Sequence, residues 1–255
     1  MSSFGLFAAV CMIPLWRQQS RKDTCKVDFG IIVHGGAYAI PDNVKEACEF
    51  GCRAAAQAGY AVLAAGGSAL DGVEAAINSL ENNPCFDAGY GSVLTMDSKV
   101  EMDAVIMDGS SLNAGAVACV SSVRNPISLA RKVMEKTNHV LIVGAGADKF
   151  ARKMGFEEVL ADDLTTDATR AELAMFVQEE DPYGTSVTSG FNRPDDNGNK
   201  IQGMGHDTTG CVCIDANGNI CSGTSTGMFG GGYVYYSYPL SNLPSPPIVN
   251  RGYNR

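Results

Sequence analysis

Three histidines and one tryptophan are all that the 255 residues contain of those types, and the nine cysteines form no C-x-x-C pair. Scarce histidine leaves few candidates for a histidine-activated nucleophile. Without paired cysteine spacings, a zinc ribbon or a thioredoxin-like redox centre is excluded. The odd cysteine count argues against a closed disulfide framework. Cys48, Cys52, Cys119, Cys211 and Cys213 fall at apolar positions of expected helices or strands and read as small core side chains in a reducing compartment. No N-x-S/T sequon occurs, so one expected sign of a secreted or lysosomal protein is missing. Positive charge is also short. The 19 Lys and Arg against 28 Asp and Glu leave a net charge of −9, which argues against nucleic acid and anionic membrane surfaces as partners. The apolar stretch Phe4–Trp16 is too short to span a bilayer and lacks a basic lead and a small-x-small cleavage site. It reads as a poorly ordered extension over residues 1–26, with a secretory or lysosomal signal as the alternative to a cytoplasmic chain.

What is present suits a single globular body. Hydrophobic residues make up 45% and charged residues 18%, and 29 glycines, many paired, point to close backbone approaches around a site. Val27–Val33 reads as a buried strand that ends in a His34-Gly35-Gly36 turn. Asn43 is positioned to cap a helix over 44–65. Ser68, with Asp71 three residues on, caps a second helix whose Leu70, Val73, Ile77 and Leu80 form one stripe. Strands follow at 100–107, 115–121 and 139–143. Helices follow at 127–136 (with Pro126 at its start), 147–154 and 169–177. Strands in succession followed by helices suit an α+β layering of helices over stacked antiparallel sheets, not a βαβ nucleotide fold.

Residues 179–205 are rich in Asp, Asn, Gly, Ser and Pro and read as a flexible connection. After it, 209–214 and 220–226 alternate across an Asp-Ala-Asn-Gly turn, a hairpin. Gly205-His206-Asp207-Thr208-Thr209-Gly210 precedes the hairpin, so Thr208 heads a strand just beyond a long connection. A threonine that becomes a chain terminus carries its own base. The freed α-amino group, with a pKa of about 7.7–8.0 in model peptides, accepts the hydroxyl proton at neutral pH. Taken alone, a strand-initial threonine is more often there for β-propensity.

Four segments, in order, resemble the N-terminal-nucleophile asparaginases, the family of plant-type asparaginase/isoaspartyl peptidase and of glycosylasparaginase. They are Ile31-Ile-Val-His34-Gly35-Gly36-Ala37, Asn83 to Leu94 with Phe86-Asp87-Ala88-Gly89-Tyr90-Gly91-Ser92, Glu101-Met102-Asp103-Ala104 onward, and Asp207-Thr208-Thr209-Gly210 with Gly223-Thr224-Ser225-Thr226-Gly227. The resemblance runs over roughly residues 28–228. It implies an αββα sandwich made as one precursor that cuts itself at Asp207–Thr208. A first subunit would cover 27–178, a connection 179–207, and the start of the second subunit 208–228. Thr208 would be the nucleophile and Thr226 its orienting hydroxyl, with Thr224 the alternative one alternation away. His34, Gly35 and Gly36 would support the turn beneath the nucleophile, and Asp87 would stand in the oxyanion region. The family has Asn at that position, and a carboxylate donates only if burial keeps it protonated.

By the same resemblance, backbone carbonyls near Leu80, Glu81, Phe86, Ala88 and Tyr90 hold a structural sodium ion, and no catalytic metal or organic cofactor is required. The substrate would be a small molecule, asparagine or a β-aspartyl dipeptide. Full-length relatives are expected to be heterodimers of cleaved subunits, paired again into a dimer. Past Gly227 the pattern departs. The family's G-R-V-G-D-S-P segment, whose Arg and Asp clamp the substrate's zwitterionic end, is replaced by a Gly- and Tyr-rich run with Tyr236 and Pro239 at those spacings. Residues 229–255 form a divergent tail, so the second subunit is expected to be incomplete. Two further readings stay open: a glycosylasparaginase-like enzyme, and a catalytically silent variant that lacks the clamp.

Overall fold

The computed structural model describes residues 10–12, 28–36, 40, 42–178 and 208–227. The connection 179–207, with Asp207, and the tail from 228 lie outside the described residues. The strands are β1 (Val10–Met12), β2 (Gly30–His34), β3 (Met102–Asp108), β4 (Ala114–Val120), β5 (Leu141–Val143), β6 (Thr209–Ile214) and β7 (Ile220–Gly227). They join in one seven-stranded sheet of order β1-β2-β6-β7-β3-β4-β5. All neighbours are antiparallel except the β4–β5 pair. The late hairpin β6–β7 is therefore inserted between two early strands, β2 and β3.

The helices are α1 (Asp42–Ala64), α2 (Ala69–Glu81), α3 (Pro126–Lys136), α4 (Ala145–Lys153), α5 (Ala161–Leu164) and α6 (Asp167–Gln178). α1 and α2 form an antiparallel pair over β2, β6 and β7, and α3 lies across β3 and β4. Ser68 and Asp71 close the α2 capping box that the sequence predicts: the Asp71 amide donates to Ser68 Oγ at 3.1 Å. Strand alternation sorts the side chains. Ile31, Val33, Met102, Ile106, Cys211 and Cys213 point into one continuous apolar core beneath the helices. Their neighbours point to the opposite face, where Ile32 and Val212 keep 46% and 45% of their surface exposed. A helix layer over one sheet, with apolar side chains on the sheet's other side, fits the helix–sheet half of a layered α+β sandwich.

Three expectations are corrected. Val10–Met12 is an edge strand paired with Ile32–His34, not part of an unordered extension; three apolar residues suffice to extend the open edge of β2. α1 begins at Asp42, which leaves Asn43 inside the first turn. Cys119 is not a core strand residue. It is half-buried at φ +50° in an irregularity where Ala118 and Cys119 together oppose Asp103. The other cysteines behave as small apolar groups: Cys48, Cys52, Cys211 and Cys213 are buried thiols. No helix among the described residues is long and apolar enough to cross a membrane.

Candidate active site

One end of the sheet collects the sequence-predicted residues, and the antiparallel register is the reason. β6 starts where β2 and β7 end, and β3 starts beside the end of β7. Register pairs His34 with Gly210, Thr209 with Ser225, Gly210 with Thr224, and Thr226 with Asp103. Continued by two residues on the β2 side and one on the β7 side, the same ladders set Thr208 between Gly36 and Thr226. The row Gly36–Thr208–Thr226–Asp103 thus crosses four strands on the face away from the helices.

Thr208 and Thr209 are separated by this alternation. Thr209 is fully buried on the helix side, and its hydroxyl donates to the Ser225 carbonyl at 3.0 Å. Thr208 lies half-buried just ahead of β6, on the same face as Thr226. The Thr226 hydroxyl donates to the carbonyl of Gly227 at 3.0 Å. Thr224 shares that face but is opposite Gly210, one pair further from Thr208. Gly210 is glycine for a steric reason, since a Cβ there would run into the His34 imidazole. His34 is therefore the wall beside the residue that follows Thr209. Gly35 is tight as well: a Cβ there would overlap the Phe86 ring and lie 2.8 Å from Cys52 Sγ.

The 84–94 loop is fastened to the end of β7. The Gly227 amide donates to the Asp87 carbonyl at 2.8 Å, and a Cβ on Gly227 would collide with the Asp87 carboxylate. Asp87 is buried, and its Oδ1 accepts the Val93 amide at 3.0 Å. The residue expected in the oxyanion region thus lies beside the Thr226–Gly227 segment and acts as an acceptor toward its own loop. The loop winds tightly around its carbonyls. A Cβ on Gly89 (φ +59°) would strike the Glu81 oxygen, and one on Gly91 (φ +113°) would lie 2.8 Å from the Phe86 oxygen. Of the five carbonyls expected to hold sodium, that of Leu80 accepts the Asn83 amide at 3.0 Å and that of Glu81 the Tyr90 amide at 2.7 Å.

Two neighbours have side-chain roles that the sequence reading did not assign. Asp103 accepts the Cys119 amide at 2.7 Å and closes the row beyond Thr226. A charged residue alternating with Met102, Ala104 and Ile106 was its signal. Glu81 is fully buried; Oε1 accepts the Ile127 amide at 2.9 Å and Oε2 accepts Asn125 Nδ2 at 3.0 Å. Burial pushes its carboxyl up to about 8, although the nearby Ser225 hydroxyl and the hydrogen bonds from Asn125 and Ile127 act the other way. A glutamate four residues after Ile77, on the apolar stripe of α2, was the legible sign. His139 is exposed ahead of β5, near the far edge of the sheet, and its amide donates to Thr137 Oγ1 at 3.0 Å.

Against proteins of known sequence, a family model described as asparaginase matches residues 27–233. An isoaspartyl peptidase/L-asparaginase of Mus musculus is 44% identical over 202 residues, covering 79% of this chain and 57% of that protein. The human protein of the same name is 42% identical over 198 residues, covering 77% and 59%. A plant-type L-asparaginase of Thermococcus kodakarensis is 46% identical over 209 residues, covering 78% and 65%. The chain thus spans 57–65% of the length of these relatives.

Proposed function

Since the chain belongs to the asparaginase family of N-terminal-nucleophile hydrolases, we propose that it is an asparaginase/isoaspartyl-peptidase-like amidohydrolase precursor whose nucleophile is Thr208. The observation that carries this is the division of labour between adjacent threonines: Thr209 spends its hydroxyl on the Ser225 carbonyl in the core, and Thr208 shares the outward row with Thr226.

In the precursor the Thr208 hydroxyl attacks the carbonyl carbon of Asp207. The C–N bond breaks, the acyl group passes to oxygen, and the Thr208 nitrogen takes up the proton. Water then hydrolyses the ester and leaves a free α-amino group. In the mature form that amine accepts the hydroxyl proton as the oxygen attacks the side-chain amide of asparagine or the isopeptide of a β-aspartyl dipeptide. The C–N bond breaks, ammonia or the second residue's amine leaves with that proton, and water then hydrolyses the acyl ester and releases aspartate. Thr226, the register neighbour of Thr208, orients the hydroxyl. His34 and the Gly35–Gly36 turn hold the strand end beneath it.

The two pieces are proposed to stay together after the cut and to pair as a dimer of such units. Support comes from β6–β7, which lies between β2 and β3 and is bonded on both sides. The carbonyls of the 80–90 loop would hold a structural sodium ion, which would stiffen the loop that carries Asp87. Nucleic acid and membrane surfaces are not proposed partners, given the net charge of −9. A cytoplasmic location is favoured by seven free cysteines among the described residues and by the absence of sequons.

A second reading, a catalytically silent variant, is favoured by one observation: Tyr236 and Pro239 stand where the family has its substrate-clamping Arg and Asp. Intact mass of the purified chain separates processing from none, and Edman sequencing of the smaller fragment must begin at Thr208. Any other start, or cleavage that survives Thr208→Ala, refutes the assignment of the nucleophile. A β-aspartyl dipeptide assay then separates enzyme from silent variant.

A further inference from the structure

The outward row has a support on its hidden side. Ser225 lies between Thr224 and Thr226 on β7 and points the other way, into the seam under α2 and α3. Its carbonyl receives the Thr209 hydroxyl, and its own hydroxyl is buried with no well-formed hydrogen bond among the described residues. The group beside that hydroxyl is the carboxyl of Glu81. Glu81 ends α2 and is fully buried. It caps α3 from outside the helix, since Asn125 makes no side-chain cap of its own and the Ile127 amide is taken by Glu81 Oε1. The Glu81 carbonyl also accepts the Tyr90 amide at 2.7 Å, in the loop whose Asp87 carbonyl holds the Gly227 amide. One residue thus bears on the Ser225–Gly227 segment from two sides: by its side chain through Ser225, and by its backbone through the loop.

We propose that the Glu81 side chain is a positioning residue, which ties the end of α2 to the start of α3 behind Ser225 and so sets the place of Thr226 opposite Thr208. It touches no reacting atom. The inference rests on the proposed role of Thr208 for its functional meaning, but its structural content is independent of that role.

Amide hydrogen exchange on the full chain carrying Thr208→Ala, which keeps it in one piece, tests the structural content. Glu81→Ala speeds exchange about tenfold in segments 125–129 and 220–227 and leaves α1 unchanged. Ser225→Ala, which removes a hydroxyl without a firm bond, speeds 220–227 alone. Glu81→Gln retains protection, because its carbonyl still accepts the Ile127 amide and the Asn125 side-chain amide can turn to meet its NH2. With Thr208 intact, Glu81→Ala and Ser225→Ala slow self-cleavage about tenfold or more, and Glu81→Gln restores it.

Equal exchange in Glu81→Ala and its parent overturns the proposal. So does acceleration spread evenly over the chain, or a Glu81→Gln variant as impaired as Glu81→Ala. If the unsubstituted chain stays in one piece while the exchange pattern appears as stated, the nucleophile assignment fails and the Glu81 lock stands.

Discussion

Replacing Asp215 tests how firmly the β6–β7 hairpin is pinned under the helices. Asp215 is buried at the hairpin turn. Its Oδ1 accepts the amides of Asn217 at 2.9 Å and Asn219 at 3.0 Å, and its Oδ2 accepts Asn219 Nδ2 at 3.1 Å and the Ala69 amide at 3.3 Å. The last bond reaches the first turn of α2, where a negative charge also meets the helix dipole favourably. Burial alone would raise the carboxyl's pKa. Hydrogen bonds from Asn219, Ala69 and Asn217 outweigh it and hold the group below the usual carboxylate range. Bonds to a charged group contribute about 1.5–3 kcal/mol each, but water can reach the exposed turn amides and recover part of the loss. Asp215→Ala is therefore expected to cost about 3 kcal/mol, chiefly at the buried Ala69 amide, and Asp215→Asn about 1–2 kcal/mol. For a chain of this size these correspond to Tm decreases of roughly 6–12 °C and 2–8 °C. A lowered pKa contributes stability that is full above the unfolded value of about 3.9 and is lost as pH falls through the folded value. Calorimetry of the Thr208→Ala chain with and without Asp215→Asn, from pH 7 downward, should show a gap in Tm that is widest near neutrality and narrows progressively once pH falls below about 4. A gap that does not narrow below about pH 4, or no gap at pH 7, would refute the reasoning.

Three further outcomes are expected. Gly210→Ala forces the His34 ring aside and costs about 1–3 kcal/mol, and adding His34→Ala recovers part of the loss in a denaturation series. Exchanging sodium for choline at constant ionic strength lowers Tm and exposes the 84–94 loop to protease, because a ligand held only by the folded state stabilises it by mass action; an unchanged Tm argues against the ion. On the silent-variant reading, turnover of L-asparagine and β-aspartyl dipeptides by the chain as written is undetectable in an ammonia- or aspartate-release assay even after cleavage, because two charge-assisted contacts of about 1.5–3 kcal/mol each are not encoded at residues 228–239. On the same reading, placing Gly-Arg-Val-Gly-Asp after Gly227 raises turnover; robust Thr208-dependent hydrolysis without the graft would show that the clamp has been replaced.

Local chemistry made much of this fold legible. The Ser68–Asp71 box, Pro126 at the head of α3 and the turn at Asp215–Gly218 each act within a few residues, so spacing alone reveals them. The place of Thr208 at the head of β6 was reachable for the same reason, through a short motif and its glycine. Val10–Met12 was not, because three residues carry no periodicity and the strand exists only because β2 has an open edge. Asp103, Ser225 and Glu81 also stayed obscure. Their importance comes from cross-strand register and helix ends brought together across 44 residues between Glu81 and Asn125, and across more than a hundred to β7. The displacement of Cys119 from the core arises the same way, from an extra residue in β4 that only pairing with β3 makes visible.

The insertion of β6–β7 between β2 and β3 also sets an order of events during synthesis. Strands β2 and β3 leave the ribosome first, and the sheet has an unfilled central slot until residue 227 follows. Until then each of them presents a bare strand edge, the kind of surface that recruits other chains. Closing the slot joins segments far apart in sequence, a slow search compared with helix formation. The proposed cleavage before Thr208 would therefore have to wait for that closure, because the row opposite Thr226 does not exist earlier. Once the bond is cut, the hairpin no longer has a tether to guide it back. Unfolding of the cut form is then expected to be one-way, and the uncut chain to refold.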